Sequence, residues 1–318
     1  MKFENSGNKD TRSGFGAGLA ELGRTNPDVV ALCADLTGSL KMDQFAKENP
    51  ERFYQAGIAE ANMVGVGAGL ALSGKIPFIG SFANFITARV YDQIRQAVAY
   101  SDTNVKICAS HAGITLGEDG ATHQTMEDLG LMRMLPGMTV INPCDYNQTK
   151  AATIAVAEHK GPVYLRFGRP SVPNFTPEDQ KFEIGKALKL IEGTDVTIFA
   201  TGHLVWEAIQ AADMLEKEGI SVELINIHTI KPLDEKGVIE SAKKTKAVVC
   251  AEEHFIAGGL GELVSGVLAR ECPTPLEFVS VNDKFGQSGT PSELMKLYGL
   301  TAEDIVESVK KVLSRKNA

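Results

Sequence analysis

The feature that most constrains the fold is an alternation of short apolar runs with amphipathic stretches, repeated along a chain of 318 residues. Runs of about four to eight apolar residues are typical of buried strands, whereas apolar residues three and four apart are typical of helices. Strands that alternate with helices pair in parallel, because each connecting helix covers a face of the sheet. The pattern predicts strands at 28–33, 78–82, 105–110, 139–142, 162–167, 195–200, 221–226 and 247–252, and helices at 12–24, 88–99, 147–158, 204–218 and 301–315.

The alternation is interrupted by a polar stretch at 169–179 that contains three prolines. Prolines in polar surroundings are typical of a segment between domains. We therefore predict an α/β protein of two domains, each a mainly parallel sheet covered by helices on both faces. The expected division is a first domain at 1–175, a linker at 176–188 and a smaller second domain at 189–318.

The composition argues against several functional classes. A net charge of −8 without a long basic run argues against nucleic acid as a partner. No apolar stretch reaches the roughly 20 residues that cross a membrane, so we expect a cytoplasmic protein without membrane contact. The cysteines lack metal-ligand spacing and lie mostly in apolar runs, so we expect reduced core thiols and no metal site. They are Cys33, Cys108, Cys144, Cys250 and Cys272.

A polar loop follows the predicted strand at 105–110. Segment 113–124 contains three glycines, two carboxylates and His123, and His111 lies just before it. Loops at the carboxyl ends of parallel strands carry the ligands in such folds. The composition alone fits either a binding site or a turn rich in glycine.

A second candidate is Glu60, which lies in the first turn of a predicted helix of small and apolar residues. A carboxylate at this position interacts favourably with the helix dipole, so spacing alone fits either a helix-terminal charge or a site residue. Ala61, Gly65 and Gly69 recur every four residues, which lets a neighbouring backbone come close, as at a subunit contact. These glycines lie inside the helix, so they do not form a dinucleotide-binding fingerprint.

Three strings stand in order along the first half of the chain: Gly-Ile-Ala-Glu60-Ala-Asn, Gly-Ser-Phe82-Ala-Asn-Phe85 and Leu-Gly-Glu-Asp119-Gly-Ala-Thr-His123-Gln. In order and spacing they resemble the pyrimidine-binding domain of transketolases and of the related deoxyxylulose-phosphate synthases. The second half contains Ala-Thr-Gly-His203 and Ala-Glu-Glu-His254-Phe-Ile-Ala-Gly-Gly, and it resembles the C-terminal domain of the same family. The resemblance implies the thiamine-diphosphate pyrimidine-binding fold followed by that C-terminal domain.

The resemblance also implies roles for residues that would contact the cofactor. Glu60 matches the glutamate that hydrogen-bonds the aminopyrimidine ring of thiamine diphosphate and handles its proton, which is general acid–base work. Phe82 and Phe85 match aromatic residues that bracket this ring, with Phe85 the expected stacking partner. Without the resemblance, both phenylalanines are typical core residues. Asp35 matches an aspartate beside the thiazolium ring.

A sugar-phosphate pocket is implied in the same way. His123 and Asp119 match residues that contact the sugar hydroxyls, and His111 matches one near the phosphate end and the reacting hydroxyls. The expected catalytic residues are thus Glu60, His111 and His123.

Three further residues match the phosphate-binding residues of the family: Arg12, Ser39 and Arg169. Two guanidinium forks suit a phosphate dianion. Because the strings around Arg12, Ser39 and Asp35 are short, surface or capping roles remain open for these three.

One part of the family's site is absent from the chain. Thiamine-diphosphate enzymes hold the diphosphate through Mg²⁺ with a Gly-Asp-Gly motif and a more distant asparagine, but this chain has only Glu118-Asp119-Gly120. Full-length transketolases carry that motif in an N-terminal domain. The resemblance therefore implies a separate N-terminal transketolase subunit that binds diphosphate and Mg²⁺, with two copies of each chain and the small-residue helix from Ala61 to Gly69 at the contact.

The expected activity is transfer of a two-carbon ketol unit from a ketose phosphate to an aldose phosphate, in the pentose phosphate pathway. Three alternatives share the fold: half of a 1-deoxyxylulose-5-phosphate synthase, the beta subunit of a 2-oxoacid dehydrogenase, and a non-catalytic subunit. The synthase is ordinarily one chain, and the dehydrogenase lacks the sugar-binding loop. Retention of Glu60, Phe85, Asp119, His123 and Arg169 argues against a subunit without chemistry.

Overall fold

The computed structural model describes residues 3–316. Residues 1–2 of the predicted first domain and 317–318 of the predicted second domain lie outside the described range. The strands are β1 (Asn8–Asp10), β2 (Val29–Cys33), β3 (Phe53–Gln55), β4 (Ile76–Phe82), β5 (Lys106–Ser110), β6 (Thr139–Ile141), β7 (Val163–Arg166), β8 (Ser171–Pro173), β9 (Leu188–Ile191), β10 (Val196–Ala200), β11 (Val222–Asn226), β12 (Thr229–Lys231), β13 (Val248–Phe255) and β14 (Leu276–Val281). The α-helices are α1 (Thr11–Thr25), α2 (Asp43–Glu48), α3 (Glu60–Leu72), α4 (Ala83–Ile86), α5 (Tyr91–Gln93), α6 (Asp128–Arg133), α7 (Tyr146–Glu158), α8 (Leu204–Lys217), α9 (Glu235–Thr245), α10 (Leu260–Glu271), α11 (Pro291–Leu297) and α12 (Ala302–Lys316).

The first sheet has the strand order β12-β6-β7-β5-β4-β2-β3. Strands β2 to β7 are all parallel, and β12 joins the edge antiparallel to β6. Every residue of β2 and β5 is buried, because apolar side chains on both faces of these central strands are covered by helices. The carboxyl ends of six parallel strands consequently share one edge.

The second sheet has the order β14-β13-β10-β11-β9, in which the edge strand β9 is antiparallel to β11. The predicted architecture of two mainly parallel sheets flanked by helices is confirmed. Each predicted strand has a counterpart, but the proline-containing stretch at 169–179 is not wholly a linker, because β8 within it pairs antiparallel with β1. The division at 176–188 stays a prediction.

The predicted helix at 88–99 differs in its winding. A 3₁₀ turn at Ala88–Val90 leads into α5, and a π-helix occupies Ile94–Tyr100. Threonine hydroxyls compete for backbone carbonyls at both ends, since Thr87 Oγ1 donates to Ala83 O at 2.6 Å and Thr103 Oγ1 donates to Ala97 O at 3.0 Å. The altered winding sets the position of Arg89. Within the described residues, no helix is both long and apolar enough to span a membrane.

Candidate active site

The carboxyl ends of five neighbouring parallel strands form the candidate site. Taken in the sheet order β7, β5, β4, β2 and β3, these ends carry or precede Arg169, His111, Phe82, Asp35 and Glu60. Parallel strands point the same way, so residues far apart in sequence meet at one edge of the sheet. This topology assembles most of the residues that the sequence predicts.

Glu60 is the first residue of α3 and only 4% exposed. Its Oε1 accepts a hydrogen bond from Ser81 Oγ at 3.4 Å, and Arg89 Nη1 donates to its two carboxylate oxygens at 3.2 and 3.3 Å. The helix dipole also favours a negative charge at this position. A buried carboxylate is thus held in one orientation by one cation and one hydroxyl.

Aromatic rings line the space beside Glu60. The ring centroids of Phe82 and Phe85 are 5.6 Å apart with an interplanar angle of 21°. The His111 ring stacks on Phe82 at 3.8 Å, and the His123 ring meets the edge of Phe85 at 5.3 Å. Flat faces beside a buried carboxylate fit the aminopyrimidine of thiamine diphosphate, which needs a stacking surface and a hydrogen-bonding acid.

His111 has an unusual backbone and an uncharged ring. Its φ of 58° lies in the left-handed region, which is uncommon for residues other than glycine. Burial, together with the charges of Arg12, Arg169 and His123, lowers the pKa of His111 to about 3. Nδ1 lies 2.7 Å from Ser110 Oγ. The imidazole is therefore neutral at physiological pH and able to form hydrogen bonds as donor and acceptor.

Arg12 and Arg169 lie close together at the same edge. The pairing of β1 with β8 sets the start of α1 beside the segment that follows β7, and Arg12 Nη1 donates to the carbonyl of Ser39 at 3.1 Å. The buried Nε of Arg12 is 3.2 Å from Asp10 Oδ1 but lacks a hydrogen bond. Burial lowers the pKa of Arg12, Asp10 opposes this effect, and the charge of Arg169 lowers it further. An anion between the two guanidinium groups would relieve their repulsion.

Arg169 also reaches the polar loop. Its Nη1 donates to Leu116 O at 2.7 Å and to Glu118 Oε2 at 2.8 Å. The loop is tied to α4 as well, because Asn84 Nδ2 donates to Thr122 O at 2.7 Å. These hydrogen bonds hold the loop, and with it His123, at the edge of the site.

Three predicted residues, Asp119, Asp35 and Ser39, lie at the same edge of the first sheet but make fewer contacts. Asp119 is exposed in the loop. Asp35 is also exposed, has a φ of 58°, and donates its backbone N–H to Gln55 Oε1 at 2.7 Å. Ser39 meets Arg12 through its carbonyl rather than its hydroxyl. The roles of these residues stay predictions.

Sequence reasoning missed Arg89 and Ser81. Besides its pair with Glu60, Arg89 places its guanidinium carbon 4.1 Å from the Phe85 ring centroid. The four-residue spacing of Phe85 and Arg89 is one at which side chains meet in a helix, but Phe85 lies before the predicted helix at 88–99, so the spacing was not a usable signal. Ser81 gave no signal either, since an inward-facing serine in a strand has no sequence pattern of its own.

Two family models match the chain. The transketolase pyrimidine-binding domain matches residues 8–174, and the transketolase C-terminal domain matches residues 185–305. The solved structure of a split-gene transketolase, an inactive β4 tetramer, is 49% identical, with a TM-score of 0.91 over 96% of this chain and 99% of that one.

Curated relatives differ in how much of their length the chain spans. The 6-deoxy-6-sulfo-D-fructose transketolase subunit of Clostridium sp. strain MSTE9 is 46% identical over 299 residues, covering 94% of this chain and 93% of the relative. Transketolase of Homo sapiens is 36% identical over 309 residues, which cover 96% of this chain but 49% of the human protein. The chain belongs to the transketolase family, in which it corresponds to the pyrimidine-binding and C-terminal domains and to the C-terminal subunit of split members.

Proposed function

We propose that the chain is the C-terminal subunit of a thiamine-diphosphate-dependent transketolase and transfers a two-carbon ketol unit between sugar phosphates. The observation that carries the proposal is the buried Glu60 beside stacked phenylalanines, at the same sheet edge as Arg12 and Arg169. A proton-handling carboxylate, a flat aromatic surface and an anion site are what this reaction needs.

Some residues of this chain act on the cofactor and others act on the sugar. When bound, thiamine diphosphate supplies the nucleophilic carbon and the electron sink for cleavage of the ketose carbon–carbon bond. Glu60 holds a proton against the pyrimidine ring nitrogen, and Phe82 and Phe85 orient the ring by stacking. His111 forms hydrogen bonds with the reacting hydroxyls as a neutral imidazole, and His123 exchanges hydrogen bonds and protons with the sugar hydroxyls.

The substrate is held at its phosphate and at its hydroxyls. Arg12 and Arg169 bind the phosphate, with Ser39 beside Arg12, and Asp119 contacts a sugar hydroxyl. Asp35 lies on the thiazolium side of the pocket. The related Clostridium subunit is named for a sulfo sugar, so an anionic end group fits both its substrate and this arginine pair.

The partner we propose is an N-terminal transketolase subunit that binds the diphosphate and Mg²⁺, with two copies of each chain in a heterotetramer. The lengths of the relatives support this partner, since the chain spans 93% of the Clostridium subunit but only 49% of human transketolase. The exposed small-residue face of α3, with Ala61, Gly65 and Gly69, is the proposed contact. The division into 1–175, 176–188 and 189–318, a cytoplasmic location and a place in the pentose phosphate pathway complete the proposal.

The test is reconstitution. We expect ketol transfer from xylulose 5-phosphate to ribose 5-phosphate when the chain is mixed with that partner, thiamine diphosphate and Mg²⁺, and none with either chain alone. A coupled assay of the triose phosphate product measures this. Decarboxylation of pyruvate without ketol transfer would instead favour the synthase or dehydrogenase alternative.

A substitution at Arg169 tests the phosphate site. Loss of a charge-assisted hydrogen bond is expected to raise the KM for phosphorylated sugars about 10- to 100-fold in Arg169→Ala. The KM for unphosphorylated xylulose should change less, because that sugar carries no anion and is affected only through the contacts of Arg169 with the loop. Arg24→Ala is the matched control, since Arg24 lies on the last turn of α1 and pairs with Glu48 at the surface. Equal effects on both sugars would contradict the assignment.

A further inference from the structure

The second domain touches the loop that carries His123 and Asp119, and one of the contacting residues is the buried Glu253. This residue lies in β13 and is 3% exposed. Its Oε1 accepts the backbone N–H of Thr115 at 2.6 Å. A Cβ on Gly113 would overlap the same carboxylate, so the loop backbone packs directly against it.

The other end of the loop lies on segment 286–291, which leads into α11. Gln124 Nε2 donates to the carbonyl of Gln287 at 3.0 Å. A Cβ on Gly120 would lie 2.6 Å from Ser288 Oγ, closer than side chains approach. The second domain therefore contacts the loop at both ends.

We infer that Glu253 is a positioning residue, which fixes the backbone of the 113–124 loop through the N–H of Thr115 and so places the sugar-contacting side chains. The inference rests on the proposed function and deepens it, because it gives the second domain a part in substrate binding. Arg169 donates to the carbonyl of Leu116, the residue after Thr115, at 2.7 Å. One short stretch of backbone thus connects Glu253 with the phosphate-binding arginine.

The surroundings of Glu253 favour a fixed side chain. Arg166 Nη2 donates to the Glu253 carbonyl at 2.9 Å, and His203 Nδ1 lies 3.6 Å from Glu253 Oε2. A Cβ on Gly168 would overlap the His203 ring, so the segment before Arg169 packs against this group too. In a buried site, a hydrogen bond to a carboxylate is not weakened by competing water.

The neighbouring Glu252 is a matched control. It is also a buried glutamate of β13, but it accepts the N–H groups of Leu260 and Gly261 at 2.6 and 2.8 Å, at the start of α10. These contacts lie within the second domain. Its substitution should affect stability without moving the loop.

The experiment compares Glu253→Ala, Glu253→Gln and Glu252→Ala in the complex with the partner subunit. Losing the acceptor for Thr115 is expected to raise the KM for both sugar phosphates about 10- to 100-fold in Glu253→Ala. Glu253→Gln should stay near the wild type, because its amide oxygen still accepts that N–H. Glu252→Ala should lower the melting temperature and leave KM unchanged. The Kd for thiamine diphosphate should not change in any variant.

Hydrogen exchange measures how firmly the backbone of the loop is held, and this measurement does not depend on activity. Peptides covering 113–124 should exchange faster in Glu253→Ala, whereas those covering α3 should match the wild type. If the alanine variant does not fold, Glu253→Asp is used instead, because its shorter side chain moves the carboxylate away from the Thr115 N–H. Peptides covering 113–124 should then also exchange faster. An unchanged KM and exchange rate in Glu253→Ala, or in Glu253→Asp where the alanine variant does not fold, would overturn the inference. An equal rise of KM in Glu252→Ala would also overturn it. Absence of ketol transfer in the wild-type complex would refute the proposed function, and the exchange rates would still show whether Glu253 holds the loop.

Discussion

Replacing Glu60 by glutamine is expected to lower kcat of the reconstituted complex by about 10²- to 10⁴-fold, the usual contribution of a positioned general acid or base. Glutamine keeps the shape and can still accept hydrogen bonds from Ser81 and Arg89, but it cannot hold or release the proton at the pyrimidine nitrogen. The carboxylate is buried and oriented by both neighbours, so solvent cannot readily replace it. Steady-state ketol transfer with saturating cofactor measures the effect.

The control for this substitution is Glu51→Gln, because Glu51 is an exposed acid whose side chain is 69% accessible. Both variants should assemble with the partner and melt within a few degrees of the wild type. A Glu60→Gln complex with near-normal kcat would show that the proton is handled elsewhere and would remove Glu60 from the catalytic residues.

The largest effect on stability is expected at Asp128. This fully buried carboxylate accepts hydrogen bonds from Arg166 Nε at 2.8 Å and from Tyr164 Oη at 2.6 Å. Burial acts to raise the pKa of Asp128, but the charge of Arg166 holds it below the ordinary value, so the group is ionised at neutral pH. Asp128→Asn removes the carboxylate that forms the ion pair with the buried Arg166 guanidinium, which is expected to cost about 3–5 kcal/mol of unfolding free energy.

Urea denaturation of the chain at pH 7 measures this loss. Asp28→Asn is the control, since the surface pair of Asp28 with Lys75 should contribute less than about 1 kcal/mol. The folded pKa of Asp128 is depressed, so its contribution is fully present above the unfolded value near 4 and is lost as the pH falls through the folded pKa. The difference between wild type and Asp128→Asn should therefore shrink at acid pH. A difference below 1 kcal/mol at pH 7 would contradict the account.

Periodicity predicts the central strands well because burial on both faces leaves a nearly unbroken apolar run, as in β2 and β5. The prediction that Glu60 lies in the first turn of a helix is confirmed, since Glu60 is the first residue of α3. Local pattern fails where pairing is decided by distant parts of the chain. Strand β12 lies in the second half but joins the first sheet, and nothing within Thr229–Lys231 indicates that partner.

Local sequence pattern predicts the candidate site only in part, for the same reason. Residues on strand ends could be assigned to one edge in advance, since parallel strands share a direction. Arg89, which pairs with Glu60, lies in a 3₁₀ turn at Ala88–Val90 that apolar spacing does not reveal. The contact of Glu253 with Thr115 joins residues 138 positions apart across two domains.

The central claim is that the chain forms half of a shared active site, and a titration tests it most directly. A fixed amount of the chain, with thiamine diphosphate and Mg²⁺ in excess, is titrated with the N-terminal subunit while ketol transfer is followed. The account predicts no turnover without the partner, a rise with each addition and a plateau at equimolar chains. Turnover by this chain alone, or none at any ratio, would contradict it.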